Sequence, residues 1–278
     1  MGPLLGILSN SFFSDSDLTS PLIYVIPRNP TLERYQSAFT ILNYFPTLGK
    51  NLLFIAAVTV IQVMVCSLTG YGFARFDFPA KKLLFACVII MIVVPVYPLA
   101  LYWLVTFKYF DPLWLVSFFT GGPVNLLSSP APIFIMTALG CGLRAGLYIF
   151  IFNQFFRGLP KELEEAALVD GAGALYTYFR IMLVNATPAL LTTTLFSIVW
   201  QYNDTSLAGL FGLSVEMNIA RRLLTVPAQF LYVLNVGQPI IRLYTCAGIV
   251  LTMLPIVAIY VLLQRRFIEG IERSGIVG

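Results

Sequence analysis

Five stretches of this chain, residues 51–73, 83–107, 131–156, 183–200 and 243–264, contain no aspartate or glutamate and, Arg144 apart, no lysine or arginine. Each is close to the about twenty apolar residues that cross the hydrocarbon of a bilayer as a helix. No other feature constrains the fold as much, because a backbone in lipid must satisfy its own N–H and C=O groups. The expected fold class is therefore an all-α polytopic membrane protein, a helical bundle of about five spans. Composition agrees: 58% of the residues are hydrophobic and 11% charged, where a soluble domain is about a quarter charged. Pro95 and Pro98 fall inside residues 83–107 and should kink that span.

Several kinds of chemistry are excluded at once. There is no histidine, which removes imidazole bases, imidazole metal ligands and imidazole proton relays. Cys66, Cys87, Cys141 and Cys246 lie far apart in apolar segments and read as small packing residues, not as a disulfide or metal set. No GxxxxGK[ST] pattern occurs, so ATP has no P-loop to occupy. Proton- and sodium-coupled carriers generally place an ionisable group near the membrane midplane, and the apolar segments offer no carboxylate. A net charge of +4 gives no reason to expect nucleic acid. The chain reads as a transport component without its own motor, not as an enzyme.

One charged island interrupts the apolar pattern. Residues 159–183, LPKELEEAALVDGAGALYTYFRIML, hold Glu162, Glu164, Glu165 and Asp170. Pro160 suits a helix start, and the acids after it lie where the helix dipole favours negative charge. Leu163, Ala166, Ala167 and Asp170 share a helical face. Gly171 and Gly173 permit a sharp turn, and Leu175, Tyr178, Phe179 and Met182 begin a second helical pattern. A short helix, a glycine turn and a second helix at a membrane surface are expected, with Glu162 and Glu164 at a solvated helix end.

This island resembles the EAA loop of permease subunits in ABC-type, binding-protein-dependent importers. Glu165, Ala166, Ala167, Asp170, Gly171, Ala172, Ile181 and Leu183 match the pattern; Val184 stands where proline is usual. The resemblance implies a type I importer bundle whose coupling loop, residues 158–182, docks on a separate ATPase. Glu165 and Asp170 would then be polar contacts or helix stabilisers, Ala166 and Ala167 would permit close approach, and Gly171 would make the turn. It further implies a second permease subunit, two ATPase subunits that carry the ATP and Mg2+, an extracytoplasmic solute-binding protein, a lipid surround and, in the carbohydrate branch, a sugar substrate. No cofactor is expected in this chain.

The remaining segments fit the same resemblance. Residues 1–14 read as the remnant of a first transmembrane helix, 15–50 as an extracytoplasmic loop, and 51–278 as the permease domain. Short basic loops containing Arg75, Lys81, Lys82, Arg157 and Lys161 place the EAA loop and the C-terminus on the cytoplasmic side of a bacterial inner membrane. Arg144 sits midway along residues 131–156, where facing lipid would cost about 2.5–3.5 kcal/mol, so it should face protein or a water-filled path. Ala138, Gly142 and Gly146 flank it at the spacing of a close-packing helix face. Asn203 and Asp204 end WQYND, which is similar to a signature of sugar permeases; with Arg144 they are candidates for the substrate path. Permeases for other small solutes, a self-sufficient channel or carrier, and a non-transporting membrane scaffold are the alternatives.

Overall fold

The computed structural model describes residues 2–19, 26–94, 97–234 and 237–275. In chain order its helices are α1 (Gly2–Asn10), α2 (Asp15–Thr19), α3 (Glu33–Ile41), α4 (Tyr44–Arg75), α5 (Lys81–Val93), α6 (Ala100–Lys108), α7 (Leu115–Thr120), α8 (Ala131–Ala138) and α9 (Ala145–Gly158). There follow α10 (Glu162–Val169), α11 (Ala174–Thr177), α12 (Leu183–Asn185), α13 (Thr187–Asn203), α14 (Ser206–Leu210), α15 (Ile219–Leu234) and α16 (Gln238–Gly275). A π-helical turn, Tyr178–Met182, joins α11 to α12. The described residues contain no strand, only an isolated bridge between Phe110 and Val124.

Among the described residues two helices, α4 and the Gln238–Leu262 part of α16, are long and apolar enough to cross a membrane unbroken. Ala174–Asn185 and Thr187–Asn203 reach that length and apolarity only as a pair, bent by 80° between them. The bend has a local cause. Pro188 lacks the N–H that would bond the Val184 carbonyl, and the Thr187 hydroxyl takes that carbonyl instead at 2.5 Å. The helix expected to begin at Leu183 thus begins at Thr187, and α12 belongs to the preceding arm.

The other two apolar segments depart from continuous helices. Residues 83–107 divide into α5 and α6 around a 3-10 turn at Tyr97–Leu99 that contains Pro98; Pro95 lies outside the described residues. Residues 131–156 divide into α8 and α9. The end of α8 is a Schellman motif: Gly140 at φ +74° donates to the Thr137 carbonyl (3.1 Å), and Cys141 donates to the Met136 carbonyl (2.8 Å). Arg144, at φ +61°, then starts α9. The helix stripe expected through Ala138, Gly142 and Gly146 therefore does not exist as one face. Gly146 alone does the packing foreseen for it, since a Cβ there would stand 2.9 Å from the Val88 carbonyl and Met91 Cβ of α5. Cys66 and Cys246 are buried as expected, whereas Cys87 and Cys141 lie on the chain's surface.

The chain forms two compact units. The first comprises Met1–Phe54, Tyr202–Gly209 and Leu213–Val261. In it Arg34, side chain 3% exposed, pairs with Asp15 and lies 4.5 Å over the Tyr244 ring. The Tyr202 hydroxyl donates to the Thr252 carbonyl at 2.6 Å. The second comprises Ile55–Gln201, Leu210–Gly212 and Leu262–Gly278. Its core is aromatic: Tyr71 stands 5.4 Å from Phe156 and 5.1 Å from Tyr178, and Tyr148, Phe152 and Met182 are fully enclosed. Gly70 lets α4 touch α9, because a Cβ there would be 2.6 Å from Phe152 Cβ.

Candidate functional site

Helix α10 is short and would fray alone; three features hold it. Glu162, Glu164 and Glu165 occupy its first turn, at the positive end of its dipole. Ala167, 4% exposed, is its one buried residue. Its far end is closed by a second Schellman motif: Gly171, at φ +78°, donates to the Leu168 carbonyl (3.0 Å), and Ala172 donates to that of Ala167 (2.9 Å). Asp170 is the last half-turn, its own N–H on the Ala166 carbonyl at 3.0 Å.

The link from α10 to the spans is an ion pair. Arg75, the last residue of α4, brings Nε to 3.4 Å from Glu164 Oε2, with side-chain exposures of 6% and 18%. Its Nη2 donates to the Leu159 carbonyl at 2.8 Å. Glu164 is therefore not the solvated helix-end acid expected of it. A half-buried charge needs a partner, and Arg75, placed in a loop by hydropathy alone, supplies it.

The outward face is what remains. Glu165, Ala166, Asp170 and Gly171 are exposed, as are Leu168 (62%) and Val169 (87%), with Leu175 and Tyr176 beyond the turn. Four of the five EAA-loop candidates thus share a surface, while Ala167 points into its own chain. Leu168 and Val169, which helical periodicity did not single out, make that surface apolar at its centre. It is an exposed ridge, with acids beside aliphatic side chains. Among the described residues no three His, Cys, Asp or Glu side chains are grouped to hold a metal.

Arg144 belongs to the same unit as this ridge, and Asn203 and Asp204 to the other. Arg144 is exposed at the break between α8 and α9, its guanidinium 5.1 Å from the Trp200 ring centre. Beside the break runs a buried polar chain that the sequence did not announce. Gln62 Nε2 donates to the Leu143 carbonyl (2.5 Å), Gln62 Oε1 accepts from Gln201 Nε2 (3.1 Å), and Ser197 stands 3.0 Å from the Thr59 hydroxyl. This chain satisfies a carbonyl freed by the broken helix. Thr193 instead bonds the Ala189 carbonyl of its own helix at 2.7 Å.

In the first unit, Asn203 is the exposed last residue of α13. Asp204 lies two residues before α14, its carboxylate accepting from the N–H groups of Ser206, Leu207 and Ala208, each at 3.2 Å. Burial raises its pKa above the ordinary carboxylate value, against those three N–H groups and the nearby Arg221. It serves as a helix cap in this arrangement.

Residues 62–273 match the family described as binding-protein-dependent transport system inner membrane component. The chain is 27% identical to the putative ABC transporter permease ORF2 of Caldicellulosiruptor sp. strain Rt8B.4, over 99% of this chain and 91% of that protein. It is 28% identical to the arabinooligosaccharides transport system permease AraQ of Halalkalibacterium halodurans, over 99% and 91%, and 26% identical to the diacetylchitobiose uptake permease NgcG of Streptomyces coelicolor, over 98% and 82%. In fold it is similar to a chain of a bacterial ABC transporter that imports the polysaccharide alginate, with a TM-score of 0.69, 18% identity, and 95% and 90% of the two chains covered.

Proposed function

The chain belongs to the family of binding-protein-dependent transport system inner membrane components, and on that premise we propose that it is a permease subunit importing a sugar or oligosaccharide. The names of its relatives motivate the substrate class: several serve arabinooligosaccharides, diacetylchitobiose or maltodextrin. An extracytoplasmic binding protein would deliver the solute. A second permease subunit would complete the path, and a pair of ATPase subunits, holding ATP and Mg2+, would supply the energy. The chain performs no bond chemistry itself.

The observation that carries this reading is the exposed ridge of α10, capped at Gly171 and tied to α4 through Glu164 and Arg75. A ridge of that kind turns movement of a docked motor into movement of spans. Helix bundles would then switch as rigid bodies between inward-open and outward-open states, biased by nucleotide and solute. On this reading the ridge and the C-terminus lie on the cytoplasmic side. Glu165, Asp170 and the Leu168–Val169 pair would contact the motor.

The test is reconstitution with the partner ATPase, second permease and binding protein in proteoliposomes. Uptake of an oligosaccharide from a solute panel should require ATP and all partners. Uptake by this chain without an ATPase would overturn the proposal, and a preference for amino acids or phosphate would overturn its substrate class.

A further inference from the structure

Residues 109–124 form a loop closed at its base, where Phe110 N–H meets the Val124 carbonyl at 3.0 Å and Val124 N–H meets that of Phe110 at 3.2 Å. Asp111 organises the tip. Its Oδ1 accepts from the N–H groups of Val116 and Ser117, each at 3.0 Å, and its Oδ2 accepts from the Ser117 hydroxyl. Those bonds lower the Asp111 pKa below the usual carboxylate value. The loop's single charge is thus committed to its own backbone, and no other charged residue occurs before Arg144.

The tip is strained for a purpose. Leu113 and Trp114 follow one another at φ +55° and +64°, a left-handed conformation that costs about 1–2 kcal/mol for each non-glycine residue. What the strain achieves is display: Leu113 is 89% exposed and Trp114 82%, beside Phe118 at 81% and Phe119 at 82%. Strained backbone holding large apolar groups outward marks a surface that something covers.

We infer that this tip is an interfacial membrane anchor, with Leu113, Trp114, Phe118 and Phe119 seated at the boundary between lipid headgroups and acyl chains. The loop leaves the apolar helix α6 and leads back to the apolar helix α8, within the chain's uncharged segments 83–107 and 131–143, so its ends stay with strongly apolar chain. Apart from Lys108, exposed at the loop's base with its ammonium 5.4 Å from the Tyr109 ring, its surface lacks the charged rim that a soluble partner's docking face carries. Aromatic side chains collect at the bilayer interface. With no lysine or arginine among residues 109–124, the tip needs only zwitterionic lipid, without the anionic headgroups that basic interfacial helices require. The inference rests on the family's membrane location and is independent of the cargo.

Trp114 supplies its own probe. The complete transporter would be placed in phosphatidylcholine nanodiscs whose lipids are brominated either near the headgroup or near the chain ends. The emission of Trp114 is the difference between the parent and Trp114→Phe, which cancels Trp103 and Trp200. Most of that emission should be lost with shallow bromine, less with deep bromine, and none with aqueous iodide. Quenching by iodide but not by bromine would place the tip in water and overturn the anchor. Protection from both would assign it to a protein contact and overturn it equally. A spin label on Phe118→Cys, with Cys87 and Cys141 changed to serine, reads depth independently by its accessibility to oxygen against a nickel chelate. Greater access to the chelate would refute the inference even if Trp114→Phe failed to assemble.

Discussion

Replacing Gly171 separates backbone strain from bulk at the coupling ridge. Gly171 lies at φ +78°, and a Cβ built on it meets nothing within 4 Å of its own chain. Inside this protein, then, only the left-handed backbone resists substitution. An alanine there costs about 1–2 kcal/mol, enough to shift the capped turn against its opened forms about 5–30-fold. Asparagine tolerates this conformation and caps helices in it, so Gly171→Asn should retain most of the turn although it is larger. A β-branched Gly171→Val should be worst. The assay is ATP-dependent uptake and solute-stimulated ATPase activity in proteoliposomes, normalised to assembled complex. The expected order is glycine, asparagine, alanine, valine, with Gly171→Val abolishing uptake while membrane insertion persists. Activity falling with side-chain volume, asparagine below alanine, would mean that bulk against the motor decides, not the turn. Normal uptake by Gly171→Val would refute the docking assignment.

Other substitutions test the supports behind that ridge. Glu164→Gln removes the partner of the buried Arg75 and should destabilise by up to about 3 kcal/mol, read as a lower Tm; replacing Arg75 by methionine in the same chain should recover part of the loss, and strict additivity would deny the pairing. Gly70→Ala puts a Cβ 2.6 Å from Phe152 Cβ and should cost about 1–3 kcal/mol by overpacking, visible in thermal unfolding, whereas Gly72→Ala, with open space, should not. Glu216 is held below its ordinary pKa by Lys50, whose ammonium stands 2.6 Å away. Its stabilising contribution is present above the unfolded carboxylate pKa and is lost as pH falls through the lower folded value, so Lys50→Met should lower Tm slightly at neutral pH, the pair being half exposed, and flatten the acid limb of a Tm-against-pH profile, the two proteins converging at the lowest pH.

Much of this was legible in the sequence because the strongest signals are local. Apolar runs at residues 51–73 and 243–264 became α4 and α16, and acids followed by Gly171 became a helix with a glycine cap. Gly140 carried the same C-cap signal but was passed over, and Ala138, Gly142 and Gly146 were read as one helical face across it, since hydropathy averages across a break that backbone geometry creates. Glu164 was misread for a different reason. Its partner Arg75 is distant in sequence, and a single chain offers no periodicity that links a loop arginine to a helix acid. The Gln62 network was hidden likewise, because it answers a carbonyl at Leu143 that exists as an unsatisfied acceptor only once the helix is broken.

These hidden pairs bear on how movement would travel. Helix α4 is clamped at two points within one unit: Gln62 holds the Leu143 carbonyl, and Arg75 holds Glu164 and the Leu159 carbonyl. Between them Gly70 brings the helix into contact with Phe152 of α9. Helix α9, with 14 residues and so about 21 Å long, joins the two clamped places, running from Arg144 at the break to the loop before α10. A packed pair held at both ends shifts as a body more readily than it bends, because interiors are dense and deform little. Displacement of α10 by a docked motor would then arrive at the Leu143–Arg144 break nearly undiminished. Gln62→Leu discriminates this from a flexible linkage: it loosens the far clamp, leaves the Leu143 carbonyl unpaired at about 1–3 kcal/mol, and does not touch the ridge. Solute-stimulated uptake should fall while basal ATPase activity persists. Loss of both together would show that Gln62 supports the fold and transmits nothing.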